Sequence, residues 1–207
     1  MLHLLRHGQT AANAAGLIQG RRDHDLTDVG RRQAAAAAAL LPAQAAAVVT
    51  SPLLRARRTA GALASAAPTV DARWMEMDFG QLEGRPVAEV RDLLWSSWAD
   101  DLEWAPPGGE SLASVTRRVT EACEELLPRI GREDVVVVTH VSPIKAAVAW
   151  ALAVPPTVAG RLYVLEASIT TIAAGDDGRP VLRRFGVEAG MGEHGAAVRR
   201  GRSPRGT

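Results

Sequence analysis

Apolar positions along the chain fall into two rhythms. Short unbroken runs occur at residues 2–5, 46–50 and Val135–Thr139, the last built on four consecutive valines. Runs of this length predict strands buried on both faces of a parallel sheet. Residues 161–174 and Pro180–Val187 predict two later strands, turned at Gly175-Asp176-Asp177-Gly178. Helical rhythm fills the intervals. Thr27 predicts an N-cap with Asp28 in the first turn, opening a helix to about Leu41 that Pro42 ends. The alanine run 34–39 raises helix propensity while supplying little bulk. Ser51-Pro52 and Ser142-Pro143 each place a capping residue before a proline at the first helical position. From about 111 to 130, Leu112, Val115, Val119, Ala122, Cys123, Leu126, Leu127 and Ile130 share one face. This alternation predicts a three-layer α/β/α sandwich with a mostly parallel central sheet. Residues 74–110 are less regular and carry Trp74, Trp95, Trp98 and Trp104. They read as an inserted cap over one end of the sheet. No internal repeat is present.

Composition narrows the function classes. The chain has 207 residues, 47% of them hydrophobic and 23% charged, enough to bury a sizeable core in one domain. With 24 basic and 23 acidic residues the net charge is +1, which argues against a general polyanion binder. The lone Cys123 excludes an internal disulfide framework and a Cys-based zinc site, and its apolar face marks it as a core thiol. No apolar run approaches the roughly 20 residues that cross a bilayer, and no cationic region precedes the first apolar run. The expectation is a cytoplasmic protein with no membrane partner. Residues 188–207 are rich in Gly and Arg and predict a disordered tail behind a domain at 1–187. Arg199, Arg200, Arg202 and Arg205 there are either solvated or able to touch an anionic surface. Lys145 is the single lysine.

Ligands of open α/β sheets bind beyond the carboxyl ends of the strands. Arg6, His7, Gly8 and Thr10 follow the first predicted strand. Ser51, Pro52 and, one turn on, Arg55 follow the second; His140 follows the third. Each end opens toward a helix or tight loop with free backbone N–H groups. Two guanidiniums fork onto phosphate oxygens, and two imidazoles supply a nucleophile and a hydrogen-bond donor. Any one of these residues alone is weak evidence. Their repetition at three strand ends points to a phosphoryl group.

Leu5-Arg6-His7-Gly8-Gln9-Thr10 resembles the signature of the histidine phosphatase superfamily, the phosphoglycerate mutase-like proteins. The resemblance continues through Asn13, Gly16, Gln19-Gly20 and Asp25-Leu26-Thr27-Asp28-Val29-Gly30. It resumes at Ser51-Pro52-Leu53-Leu54-Arg55-Ala56, at Glu76 with Gly80 and Glu83-Gly84, at Pro107-Gly108-Gly109-Glu110-Ser111 and at Val138-Thr139-His140. It implies a phosphoglycerate mutase-like fold. It also implies that His7 attacks phosphorus, that Arg6, Arg55 and His140 hold the transferring group, and that Glu76 is the acid. Such an acid keeps its proton with the help of burial beside Trp74 or Phe79 and of a bound phosphate. Thr10, Asn13, Gln19, Gly20 and Val141 are further substrate-binding candidates, although Asn13 equally suits loop backbone groups. Glu83 neighbours the site. His24 sits where Arg21 and Arg22 line the mouth or face solvent, and His3 reads as packing.

The chain departs from many relatives at His140-Val141-Ser142-Pro143-Ile144-Lys145, where glycine commonly follows the histidine. This pattern looks more like broad or ribazole-type phosphatases than glycolytic mutases. Pro143 still admits a helix start, so the anion-binding N-terminus is retained. Lys145 is either a long-reach cation toward substrate or, on the preferred reading, a snorkelling surface residue. The mutases tend to carry serine just before Asn13, where this chain has Ala11-Ala12. The expectation is therefore hydrolysis of a small-molecule phosphoester, with no cofactor, no metal and no nucleic acid. A mutase and a catalytically weak phosphate- or phosphoprotein-binding module are the alternatives. The strand at 180–187 could pair between subunits of a homodimer.

Overall fold

A computed structural model describes residues 1–63 and 67–189, so most of the tail expected at 188–207 lies outside the described residues. Six strands form one sheet in the order β3-β2-β4-β1-β5-β6. They are β1 (Leu2–Arg6), β2 (Ala47–Thr50), β3 (Thr69–Val70), β4 (Val135–Thr139), β5 (Ile169–Ala174) and β6 (Pro180–Val187). The strands β1 to β4 run parallel, and β5 and β6 are antiparallel to their neighbours. Every residue of β1 and β4 is buried, as expected of central strands covered on both faces. Their side chains alternate between two cores. Leu2, Leu4, Val135 and Val137 face the larger one, with Trp74, Val115, Val119 and Ile144. Leu5, Val136 and Val138 face the smaller one, with Ala37, Val48, Ala56 and Ala60. Three layers follow directly from that alternation.

The helices are α1 (Ala11–Ala14), α2 (Asp28–Ala38), α3 (Leu54–Ala60), α4 (Val87–Asp100), α5 (Leu112–Ile130) and α6 (Val141–Leu152). Thr27 caps α2 through its side-chain oxygen, as read from the sequence, and Ser111 caps α5 in the same way. Several boundaries differ. The α2 helix ends at Ala38 because Leu40 and Leu41 bond three residues back, to Ala37 and Ala38, tightening the last turn. Ser51 is not the N-cap of α3; Leu53 is, and the Ser51 hydroxyl accepts from Leu53 N–H at 3.3 Å while also contacting His140 Nε2. Ser142 does not open α6 either, since His140 is the N-cap and Pro143 sits inside the first turn. The strand expected at 161–174 is confined to Ile169–Ala174. Before it, residues 156–161 form 3-10 turns, and Ala167 takes a left-handed φ of 56° that breaks extended backbone. That stretch still docks on the end of β1: Arg6 N–H donates to Ser168 O and Ala167 N–H donates to His7 O.

The insertion at 74–110 contains a full helix, α4, whose buried Val90, Leu94 and Trp98 recur every four residues. Trp98 stacks edge-on with Trp95 and Trp104, at 5.2 and 6.3 Å between ring centroids. Cys123 is fully buried, and burial raises its thiol above the ordinary range. Among the described residues no helix is long and apolar enough to cross a membrane. The exposed strand β6 is an edge, with burial alternating along it.

Candidate active site

Strands β2, β4 and β1 lie side by side, so their carboxyl ends deliver Arg55, His140 and Arg6-His7 to one place. Close backbone approach holds the loop after β1. A Cβ on Gly8 would lie 2.3 Å from Gly30 O, and one on Gly30 would lie 2.1 Å from Gln9 O. Only glycine permits this contact between the loop and the start of α2. Gly8 N–H also donates to Thr59 Oγ1 at 3.1 Å, tying the loop to α3.

His7 is buried, and its Nδ1 lies 2.7 Å from Gly8 O. A carbonyl only accepts, so this contact assigns the proton to Nδ1 and a lone pair to Nε2. Arg55 Nε–H donates to that Nε2 at 3.2 Å. Burial, then the charges of Arg55 and Arg6, hold the imidazole well below its ordinary pKa. The His140 ring is 5.1 Å away and is likewise depressed, first by burial and then by Arg55. Two neutral imidazoles thus face two guanidiniums.

Each guanidinium is anchored by acceptors. Arg55 is fully buried and donates through Nη1 to Arg22 O and through Nη2 to Gly20 O, at 2.9 and 2.7 Å. Gly20 takes φ +53°, and a Cβ there would meet the Glu83 carboxylate at 1.9 Å. Glu83 in turn accepts from Arg21 N–H at 2.7 Å, so it fastens the segment that holds Arg55. Arg6 donates through Nη1 to Val164 O at 2.7 Å and pairs through Nη2 with Glu166 at 3.0 Å. Among the described residues Arg6 Nε and His140 Nδ1 are buried with no hydrogen-bond partner. Buried polar atoms rarely stay unpaired, and each such atom costs about 1–3 kcal/mol. Two of them beside one nucleophile mark a site whose hydrogen-bonding capacity is directed at a polar ligand. The other ring nitrogen of His140, Nε2, contacts Ser51 Oγ at 2.7 Å.

Glu76 is buried at the start of α6. Its carboxylate accepts from Met77 N–H at 2.8 Å, Ser142 N–H at 3.1 Å and Val141 N–H at 3.2 Å. The helix N-terminus expected to bind the substrate anion is therefore already bonded to Glu76, and Val141 acts by aiming that carboxylate. Arg118 of α5 clamps the same segment. It donates to the carbonyls of Arg73 and Met75 while pairing with Glu110 at 2.8 Å. Thr10, Asn13 and Gln19 form a local brace. Thr10 N–H and Oγ1 meet Asn13 Oδ1 at 3.1 and 3.0 Å, and Oγ1 meets Gln19 Oε1 at 2.7 Å. Asn13 Oδ1 is thus spent on the loop, in line with the second of its two sequence readings, while the side-chain N–H donors of the first reading take no part in this brace. His3 lies at the opposite strand end and contacts Asp134 at 3.2 Å. His24 makes none of the bonds that hold the site.

Lys145 corrects the surface reading. It is half-buried, with Nζ 5.3 Å from the centroid of the Trp95 ring. Glu166 and Arg118 went unread in the sequence, where nothing distinguishes them from other loop and helix residues; Thr59, with Ala60, belongs to the family resemblance but carried no role. Among the described residues no group of three or more His, Cys, Asp or Glu side chains could hold a metal ion.

The model of the histidine phosphatase superfamily (branch 1) matches residues 2–187. The chain is 38% identical over 190 residues to the bifunctional protein Rv2228c of Mycobacterium tuberculosis, covering 88% of this chain and 52% of that protein. It spans about half the length of such relatives. It is 39% identical over 168 residues to glucosyl-3-phosphoglycerate phosphatase of Mycolicibacterium vanbaalenii, covering 74% of this chain and 75% of that enzyme. The solved mycobacterial glucosyl-3-phosphoglycerate phosphatase Rv2419c, in complex with VO3, superposes with a TM-score of 0.79 at 33% identity, covering 90% and 98% of the two chains.

Proposed function

The chain belongs to the histidine phosphatase superfamily, branch 1, and from that membership we propose that it is a metal-independent phosphomonoesterase acting on a small phosphorylated metabolite through a phosphohistidine. The observation that carries the reading is His7. Its Nδ1–H is spent on Gly8 O, and its Nε2 lone pair faces the guanidinium of Arg55. On arrival of a phosphoester, Arg6 Nε and His140 Nδ1 supply unspent contacts to its oxygens. Nε2 attacks phosphorus, the P–O bond to the alcohol breaks, and Glu76, carrying a proton brought in with the ester, gives it to the leaving oxygen. Water then attacks the phosphorylated His7 with Glu76 as base. The P–N bond breaks, inorganic phosphate departs, and both His7 and Glu76 return to their starting states. Fixed positive charge around the transferring group stabilises the transition state without reorganisation. On this reading the protein is a histidine acid phosphatase-type phosphoric monoester hydrolase.

Relatives include both phosphatases and phosphoglycerate mutases; Ala11-Ala12 before Asn13 favours hydrolysis over transfer. The test is a panel of phosphometabolites assayed beside His7→Ala, with and without EDTA, and a search for acid-labile label on His7 after brief mixing. Turnover lost in His7→Ala but retained in EDTA, with label on His7, is expected. Turnover that collapses in EDTA and returns with Mg²⁺ overturns the mechanism. No turnover of any ester by a folded protein moves the reading to a binding module.

A further inference from the structure

Lys145 follows Val141 by one turn of α6, which puts it on the helix face that carries the Glu76 contact. The side chain does not run to open solvent. It lies half-buried against Trp95 of the inserted helix α4, within cation–π range of the ring. Trp95 is itself a fixed wall: the backbone at Gly160 approaches so closely that a Cβ there would lie 3.1 Å from the ring, and Trp98 packs on it edge-on. Among the described residues Lys145 Nζ makes no hydrogen bond and has no carboxylate within ion-pair distance. Burial, opposed by Glu76 and reinforced by Arg6, pushes its pKa down to about 8. A half-buried cation without a counter-charge weakens the fold. The Trp95 ring offsets part of that cost, which leaves the ammonium open to an anion brought by a ligand.

We propose that Lys145 is a specificity residue whose ammonium receives a second anionic group, a carboxylate or a further phosphate, on the phosphoester held by Arg6, His7, Arg55 and His140. The inference deepens the reading of His7 as the reaction centre and rests on it for the identity of the ligand. The substrate is then a phosphorylated acid or a bisphosphate, with its second charge toward the cap helix α4. The reaction that supplies it must phosphorylate, or build upon, a molecule that already bears an anionic group.

Binding separates this inference from the question of turnover. Dissociation constants are measured by calorimetry in the His7→Ala full chain, for O-phosphoserine against O-phosphoethanolamine, which differ by one carboxylate. Propanediol bisphosphate against the monophosphate distinguishes a phosphate from a carboxylate as the second group. One of the two pairs should show at least about tenfold preference for the doubly anionic member, as a charge-assisted contact supplies. Adding Lys145→Met should erase that preference, and Lys145→Arg should keep most of it. Lys145→Met should also raise the melting temperature at neutral pH, because it removes an uncompensated buried charge; a lysine retained for structure would lower it. Absence of preference in both pairs, no binding of any of the four, or equal weakening of both members by Lys145→Met overturns the proposal. Absence of turnover in the wild-type protein alongside an intact, Lys145-dependent preference overturns the phosphatase reading alone.

Discussion

Acid should destabilise this protein through its two active-site imidazoles well before its carboxylates titrate. His7 and His140 are both buried, and both sit well below the ordinary histidine pKa of 6.5, from burial first and the neighbouring arginines second. In the unfolded chain each takes up a proton near pH 6.5, while in the folded protein each stays neutral. The unfolded state then binds more protons, so stability falls as pH falls. The contribution is intact above about pH 7.5 and is lost progressively from about pH 6.5 down toward the folded values. In the developed part of that window each histidine contributes about 1.4 kcal/mol per pH unit, hence about 3 kcal/mol for the pair. That is a large share of a typical domain stability of about 5–15 kcal/mol. His3, lowered by burial and partly restored by Asp134, acts in the same direction. Asp25, Asp71, Glu110 and Asp134 are held below their ordinary values. Their stabilisation is lost only as pH falls through the lower carboxylate range, about pH 4 and below, outside the window. The assay is urea unfolding in phosphate-free buffer between about pH 7.5 and about pH 5.5. Wild-type stability should fall across this range, and His7→Gln should remove about 1.4 kcal/mol of that total fall. A flat wild-type profile, or an unchanged slope in His7→Gln, refutes the reasoning.

Two substitutions probe the site's construction. Gly30→Ala puts a Cβ 2.1 Å from Gln9 O, which forces α2 and the His7 loop apart by about 1 Å. The expected cost is about 1–3 kcal/mol of stability and about a hundredfold in turnover, read by thermal melts and steady-state kinetics. Gly61→Ala is the control, since its nearest neighbour is 3.4 Å away and its φ is −64°; equal melting temperatures for the two variants would contradict the close-approach reading. Glu76→Gln should slow esters of poor leaving groups by about 10²–10⁴ and activated aryl phosphates far less. Equal loss on both would remove Glu76 from the acid role.

Much of the site was legible because the chemistry sits where strands end. Arg6-His7 and His140 adjoin apolar runs that could only be buried strands, and parallel neighbours share one carboxyl edge. The same logic misplaced Ser51, which lies two residues before the α3 N-cap, accepts from Leu53 N–H and also contacts His140. It also misread the α6 N-terminus, whose donors go to a carboxylate 65 and 66 positions earlier in the chain. Glu166 reaches Arg6 from the irregular stretch that was expected to be strand. No periodicity encodes such pairings.

The sequence by itself determined the layers, the central strands and the cationic strand ends, because alternating burial and short-range capping are written in local residue order. Only the tertiary structure decided the protonated nitrogen of His7, the aim of Glu76, the clamp by Arg118 and the counter-charge missing from Lys145. Each of these depends on which distant groups meet within hydrogen-bond or ion-pair range in a water-poor interior, and that is a property of the packed chain.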